Sequence, residues 1–140
     1  VRTSMRNQWP CTVETMQAQG QIVRVHLRGD AALELSVAAR ITRESAELLG
    51  LRPGAPVQAL CKATAVRVLP LREAPAQPAS NLWPGRAARI SRGDLGDEVA
   101  AELAAGVQMV GFAAPGSGLR TGARVALAVD ETAVVLALAG

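Results

Sequence analysis

The chain contains two copies of one sequence pattern, and this internal repeat limits the folds that it can adopt. The segment NQWPC at residues 7–11 recurs as NLWPG at residues 81–85, and these two segments contain both tryptophans of the protein. Farther along, LRPGAPV at residues 51–57 recurs as LRTGARV at residues 119–125. The first pair is 74 positions apart and the second 68, so the second copy is shorter between the two motifs. We therefore expect two homologous halves.

A proline-rich segment separates the copies. Residues 70–80 contain three prolines and several small residues, a composition that ends regular strands and helices. We predict a first subdomain over residues 1–71, a linker over residues 72–80 and a second subdomain over residues 81–140. A unit this small buries too little of its surface to be stable alone. We therefore expect the two subdomains to be fused and to pair further with another chain.

Both copies are predicted to consist of strands. A short helix is predicted from Thr42, its N-cap, to Leu49, and Gly50 ends it. Residues 113–118 predict a turn where the second copy would have its helix. Alternation and turn signals predict strands over residues 11–16, 21–27, 32–37, 55–63, 65–69, 86–91, 98–103, 108–112, 123–129 and 133–138. The predicted fold is all-β with a short helix, made of two tandem OB-like five-stranded barrels.

The composition excludes several classes of function. No apolar run is long enough to cross a membrane. Cys11 and Cys61 lack CxxC spacing, and the single histidine, His26, completes neither a zinc site nor a nucleophile–base pair, so we expect no enzyme. We predict that both cysteines are buried free thiols and that His26 lies on a strand face. Three dispersed aromatic residues argue against stacking on single-stranded nucleic acid.

The positive charge lies in the first half of the chain. Residues 1–74 carry a net charge of +4 and residues 75–140 a net charge of −1. Lys62 is the only lysine beside fourteen arginines, and it lies in an otherwise apolar segment. Between the copies, donors and positive charges are lost where we align Ser4 with Pro78, Arg6 with Ser80, Thr42 with Val110, Ser45 with Ala113 and Lys62 with Asp130.

These differences predict an oxyanion site in the first copy. A dianion taken out of water needs about two positive charges and several hydrogen-bond donors. Arg6 and Lys62 supply the charges, and Ser4, Thr42 and Ser45 supply hydroxyl groups. The first backbone amides of the helix add further donors. Taken singly, Thr42 is better explained as a plain N-cap and Arg6 as a surface charge, so the prediction rests on the five residues together.

Three segments of the first copy resemble the molybdopterin-oxyanion family of domains, called Mop or TOBE. They are residues 3–9, 41–45 and 60–63, which are similar to the family patterns SARNQ, ITxxS and LxKA, although Met5 and Cys11 replace the usual Ala and Gly. The resemblance implies a homodimer that binds molybdate, or the nearly isosteric tungstate, between its subunits. The implied ligands are Ser4, Arg6, Thr42, Ser45, Lys62 and the backbone amide of Ala63.

An intact first copy followed by a degenerate second copy is similar to the C-terminal half of ModE-type molybdate-responsive transcriptional regulators. That resemblance implies a cytoplasmic sensor domain that reaches DNA only through a winged helix-turn-helix domain preceding Val1. The chain opens without Met, so we expect it to be a piece of a longer protein. The alternative is a storage molbindin that binds no DNA. A transporter-ATPase tail is disfavoured because such tails usually hold one copy.

Overall fold

Ten strands in two five-stranded sheets make up most of this computed structural model, which describes residues 2–30, 34–75 and 81–138. The first copy contributes β1 (Asn7–Gln19), β2 (Ile22–Gly29), β3 (Ser36–Thr42), α1 (Arg43–Leu48), β4 (Pro56–Cys61) and β5 (Arg67–Pro70). The second copy contributes β6 (Asn81–Ser91), β7 (Asp97–Glu102), β8 (Gln108–Ala113), β9 (Arg124–Val129) and β10 (Val135–Ala137). The predicted all-β fold with one short helix is confirmed.

The two sheets exchange their last strands. The first sheet has the order β10-β4-β1-β2-β3, and the second is a closed barrel with the order β5-β8-β7-β6-β9. Thus β5 pairs with β8 and β9 of the second copy, and β10 pairs with β4 of the first. A cut at residue 71, the predicted end of the first subdomain, would leave each sheet without one strand. Of the predicted linker, residues 76–80 lie outside the described residues.

One predicted strand is misplaced. We expected a strand over residues 32–37, but β3 runs from Ser36 to Thr42, and residues 31–33 lie outside the described residues. Val37, Ala38 and Ala39 are all buried in β3, so no strict alternation marks this strand in the sequence. The predicted helix is confirmed as α1, with Thr42 as its N-cap, and the predicted turn after β8 is also confirmed.

The repeated NxWP motif joins the two copies through buried asparagines. The Asn7 amide donates to the Val110 carbonyl at 2.9 Å and accepts from the Val110 N–H at 2.8 Å. Asn81 makes the same pair of bonds with Ala38, both at 2.8 Å. The indole rings of Trp9 and Trp83 pack edge to face with centroids 5.9 Å apart. In each copy, an asparagine on the first strand is therefore hydrogen-bonded to the third strand of the other copy.

The cysteines are buried free thiols, as predicted. Burial raises the pKa of Cys11 to about 12 and that of Cys61 to about 11, so both are protonated at neutral pH. His26 lies on β2, which confirms its predicted place on a strand. No helix in the described ranges is long and apolar enough to span a membrane.

Candidate functional site

Arg6 and Lys62 both adjoin the last residue pair at one end of the β1–β4 ladder. β1 and β4 are antiparallel with Asn7 opposite Cys61, so the residues just beyond this pair are Arg6 and Lys62. Asn7 and Cys61 are buried, which fixes the backbone at this position. Ser4 is exposed two residues before Arg6, and buried Ala63 follows Lys62. We call Ser4, Arg6, Lys62 and Ala63 the lysine end of the site.

The lysine end contains an exposed cation that has no partner among the described residues. The Lys62 side chain is exposed and makes no ion pair or hydrogen bond with any described part of the chain. Ala63 begins a short 3-10 turn over Ala63–Ala65, and the first amides of such a turn have no acceptor within it. Arg6 differs from Lys62, because its Nη1 lies 3.1 Å from Oε1 of Glu98. The lysine end therefore offers positive charge and donors to an anion.

Thr42 and Ser45 lie together at the start of α1. Thr42 Oγ1 accepts from the Ser45 backbone N–H at 3.1 Å and donates to Ser45 Oγ at 2.9 Å. Thr42 is exposed and Ser45 is half-buried, so the two hydroxyl groups lie at the protein surface. We call this pair the helix end of the site. The capping role of Thr42, which sequence reasoning held open beside anion binding, is present in the structure.

The lysine end and the helix end are far apart along β1 but not around the first sheet. Thr42 is opposite Ile22 on β2, and Ile22 is opposite Gln19, the last residue of β1. The lysine end adjoins Asn7, the first residue of β1, so the path along this strand is about 40 Å. The sheet curls, however, and Ser45 shares a surface pocket with Val135, which lies opposite Leu60, two residues before Lys62. No hydrogen bond joins the two ends within the described residues.

The strand registers correct our alignment of the two copies. Val37 and Met109 occupy equivalent places, because they pair with Leu27 and Ala101, which are themselves equivalent. The offset in this region is therefore 72 positions, not 68. Aligning Thr42 with Val110 and Ser45 with Ala113 was wrong: Ala113 takes the place of Ile41, so Ala114 follows at the place of Thr42. The second copy is shortened after this point, where a loop replaces most of α1.

The second copy uses the polar groups in the loop after β8 and before its last 3-10 turn for bonds within the protein. Ser117 Oγ donates to buried Asp97 at 2.8 Å, and Arg92 contacts the same carboxylate at 3.0 Å, which holds the pKa of Asp97 below its usual value. Asp130, the counterpart of Lys62, accepts from the N–H and hydroxyl of Thr132. These bonds likewise lower the pKa of Asp130. The counterparts of Ser4 and Arg6, Pro78 and Ser80, lie outside the described residues.

Sequence reasoning missed a buried ionic cluster around Glu131. This residue is the counterpart of Ala63 and is 5% exposed. Its carboxylate accepts two bonds from Arg24, at 2.8 and 2.9 Å, and lies 3.5 Å from Arg40. His26 Nε2 lies 2.6 Å from Arg24 Nη1. The bonds from Arg24 are the main reason that the pKa of Glu131 is lowered.

This cluster changes how the charge of the first half is interpreted. We assigned the excess positive charge of residues 1–74 to an anion site, but much of it is paired within the protein. Ion pairs involve the guanidinium groups of Arg6, Arg24, Arg28, Arg40 and Arg72. Lys62 has no such partner in the described ranges, which makes it the stronger candidate ligand. No group of three or more His, Cys, Asp or Glu residues within these ranges could hold a metal ion.

Comparisons with known proteins agree with this architecture. The family model described as the TOBE domain matches residues 3–68. A crystal structure of the cytoplasmic molybdate-binding protein ModG, with molybdate bound, superposes with a TM-score of 0.90 at 24% identity, covering 99% of this chain and 100% of that chain. No curated protein matches the sequence. Both copies of the chain thus share the fold of ModG, and residues 3–68 are similar to the TOBE domain.

Proposed function

We propose that this protein binds molybdate, or tungstate, as an intact oxyanion and stores or buffers it in the cytoplasm without itself binding DNA. The observation that carries the proposal is that Lys62, next to the β1–β4 pair that adjoins Arg6, is exposed and has no ion pair with the described residues. The likeness to ModG over the full length of both chains supports the storage interpretation. The sensor of a ModE-type regulator, our first expectation, is favoured only by the difference between the two copies.

The residues of the lysine end suit a tetrahedral dianion. The Lys62 ammonium and the Arg6 guanidinium together match two negative charges, which offsets the cost of removing the anion from water. The Ser4 hydroxyl and the Ala63 amide add neutral donors on neighbouring positions. No bond is made or broken in the anion. Selectivity therefore depends on charge, size and the number of donors that reach the four oxygens.

We propose further that each site is completed by a second copy of the chain in a homodimer. Thr42 and Ser45 carry donors at the start of α1, and within the described residues neither side chain is hydrogen-bonded to its own lysine end. Beside Ser45 lies an apolar surface that includes Leu48, which is 79% exposed, and Val135, which is 40% exposed. Large exposed apolar side chains commonly mark a protein contact. A second copy packed here would bring its lysine end toward this helix end.

Titration of the protein with sodium molybdate in a calorimeter tests the function. We expect saturable binding with about one anion per chain, because a twofold dimer built from shared sites has as many sites as subunits. Tungstate is expected to compete fully. Sulfate, which has the same charge but is smaller, serves as the matched competitor. Absence of saturable molybdate binding would contradict the proposal.

A mixing experiment tests the shared site. Lys62→Ala and Ser45→Ala should each weaken binding, because each removes a ligand from every site. When the two variants are unfolded together and refolded, random pairing gives half heterodimers, and each heterodimer holds one intact site. We expect about a quarter of the sites to regain normal affinity. Refolded mixtures with no high-affinity sites would argue that both ligands come from the same chain.

A further inference from the structure

We propose that Glu98 is an internal competitor for the oxyanion: its carboxylate occupies Arg6 in the empty site and thereby limits the affinity for molybdate. This proposal rests on the proposed function. Glu98 lies on β7 in the second barrel, whereas Arg6 precedes β1 of the first sheet. Their side chains meet with Arg6 Nη1 at 3.1 Å from Glu98 Oε1.

The fold positions this ion pair through the asparagine contacts. Asn7, which follows Arg6, is held by two hydrogen bonds to Val110 on β8. β8 is the neighbour of β7, where Val110 lies opposite Ala100 and Phe112 lies opposite Glu98. The backbone before Asn7 is therefore fixed close to β7. The contact between Arg6 and Glu98 follows from the junction of the two sheets.

The Arg6–Glu98 pair is more exposed than the ion pair made by the counterpart of Glu98 in the first copy. The counterpart of Glu98 in the first copy is Arg24, which is held by the buried carboxylate of Glu131 through two hydrogen bonds. The side chains of Arg6 and Glu98 are 51% and 36% exposed and share one hydrogen bond. Exposed ion pairs are weak, since water and salt screen them. An arriving dianion can therefore displace Glu98 from Arg6, whereas Glu131 stays bound to Arg24.

Competition follows from the charges. An oxyanion that reaches Arg6 must either displace the Glu98 carboxylate or bind beside it and accept the repulsion between like charges. Both alternatives cost binding free energy. Glu98 thus weakens the binding of the oxyanion to Arg6. A variant that lacks this negative charge should bind the oxyanion more tightly.

The test is the molybdate affinity of Glu98→Gln, measured by calorimetry. We expect the dissociation constant to fall about threefold to tenfold, and the gain to shrink at high salt. Glu102→Gln is the matched control, because Glu102 is exposed on the same face of β7 and makes no ion pair with the described residues; its dissociation constant should change less than about twofold. In an Arg6→Gln background, Glu98→Gln should have no further effect.

The direction of the change separates competition from a structural role. Damage to the sheet junction would weaken binding, whereas loss of a competitor strengthens it. Unchanged or weaker binding by Glu98→Gln, in a protein whose wild type binds molybdate, would overturn this inference and leave the proposed function standing. A gain of equal size in the Arg6→Gln background would also overturn it. A wild-type protein without molybdate affinity would overturn both proposals.

Discussion

Replacing both Arg6 and Lys62 with alanine is expected to weaken molybdate binding by at least about 100-fold. A hydrogen bond to a charged group contributes about 1.5–3 kcal/mol, so losing two of them removes about 3–6 kcal/mol. The anion would then rely on hydroxyl and amide donors with no cation to balance its two charges. The measurement is a calorimetric titration, with displacement by tungstate for weak binders.

The same variant should remain folded, which allows the binding loss to be interpreted. Lys62 is exposed without a partner among the described residues, and the Arg6 side chain is 51% exposed. Losing the exposed pair with Glu98 costs less than about 1 kcal/mol. The matched control is Arg52→Ala with Arg120→Ala, an equal change of charge on two exposed arginines of the repeated turn. If the control loses affinity equally, or the Arg6 and Lys62 variant loses none, these residues are not ligands.

The tandem architecture could be predicted because the repeated motif has a structural cause. Asn7 and Asn81 are buried and bond symmetrically across the junction, and Trp9 packs against Trp83. Residues with such specific partners remain recognisable in both copies. Strand alternation, the Thr42 cap and Gly50 were local signals, and local signals predicted most strands and the helix.

The strand exchange could not be predicted, because β5 and β10 suit either sheet. A short strand alternates in the same way whichever sheet it joins, so its pattern does not identify its partner. The alignment of β3 with β8 failed for a related reason. Gly111 and Ala39 are equivalent small residues, and β3 and β8 share no distinctive motif. An alignment error of four positions between these strands could therefore not be recognised from the sequence.

The candidate site was predictable as a set of residue types but not as a geometry. Lys62 stood out by composition, and its lack of an ion pair with the described residues supports that choice. The position of Thr42 relative to Lys62 depends on the registers of β4, β1, β2 and β3 and on the curling of the first sheet, which brings β3 beside β10. Glu131 gave no signal, because its partners Arg24 and Arg40 lie far away in sequence. Contacts between residues so far apart in the sequence can be identified only from the folded structure.

Replacing Glu131 with glutamine is expected to lower the free energy of unfolding at pH 7 by about 2–3 kcal/mol. Removing one partner from a buried ion pair typically costs 3–5 kcal/mol, because the other charge is left unpaired. We expect about the lower end of that range, or slightly less, because the Arg24 and Arg40 side chains are 36% and 48% exposed and can regain water. The measurement is equilibrium denaturation in urea. Glu47→Gln, on the exposed face of α1, is the matched control and should change stability little.

The pH dependence gives this prediction a second test. The pKa of Glu131 is lower in the folded protein than in the unfolded chain. The carboxylate therefore stabilises the fold fully above the unfolded glutamate pKa of about 4.3, and this contribution is lost as the pH falls through the lower folded value. The stability difference between wild type and Glu131→Gln should thus be largest near neutral pH and shrink in acid. A difference that stays constant down to about pH 3 would show that the glutamine acts by packing rather than by charge.

The Glu131→Gln variant should also loosen β10, the strand that the second copy contributes to the first sheet. Because Glu131 lies just before β10, loss of its bonds to β2 and β3 should speed amide hydrogen exchange at Leu136.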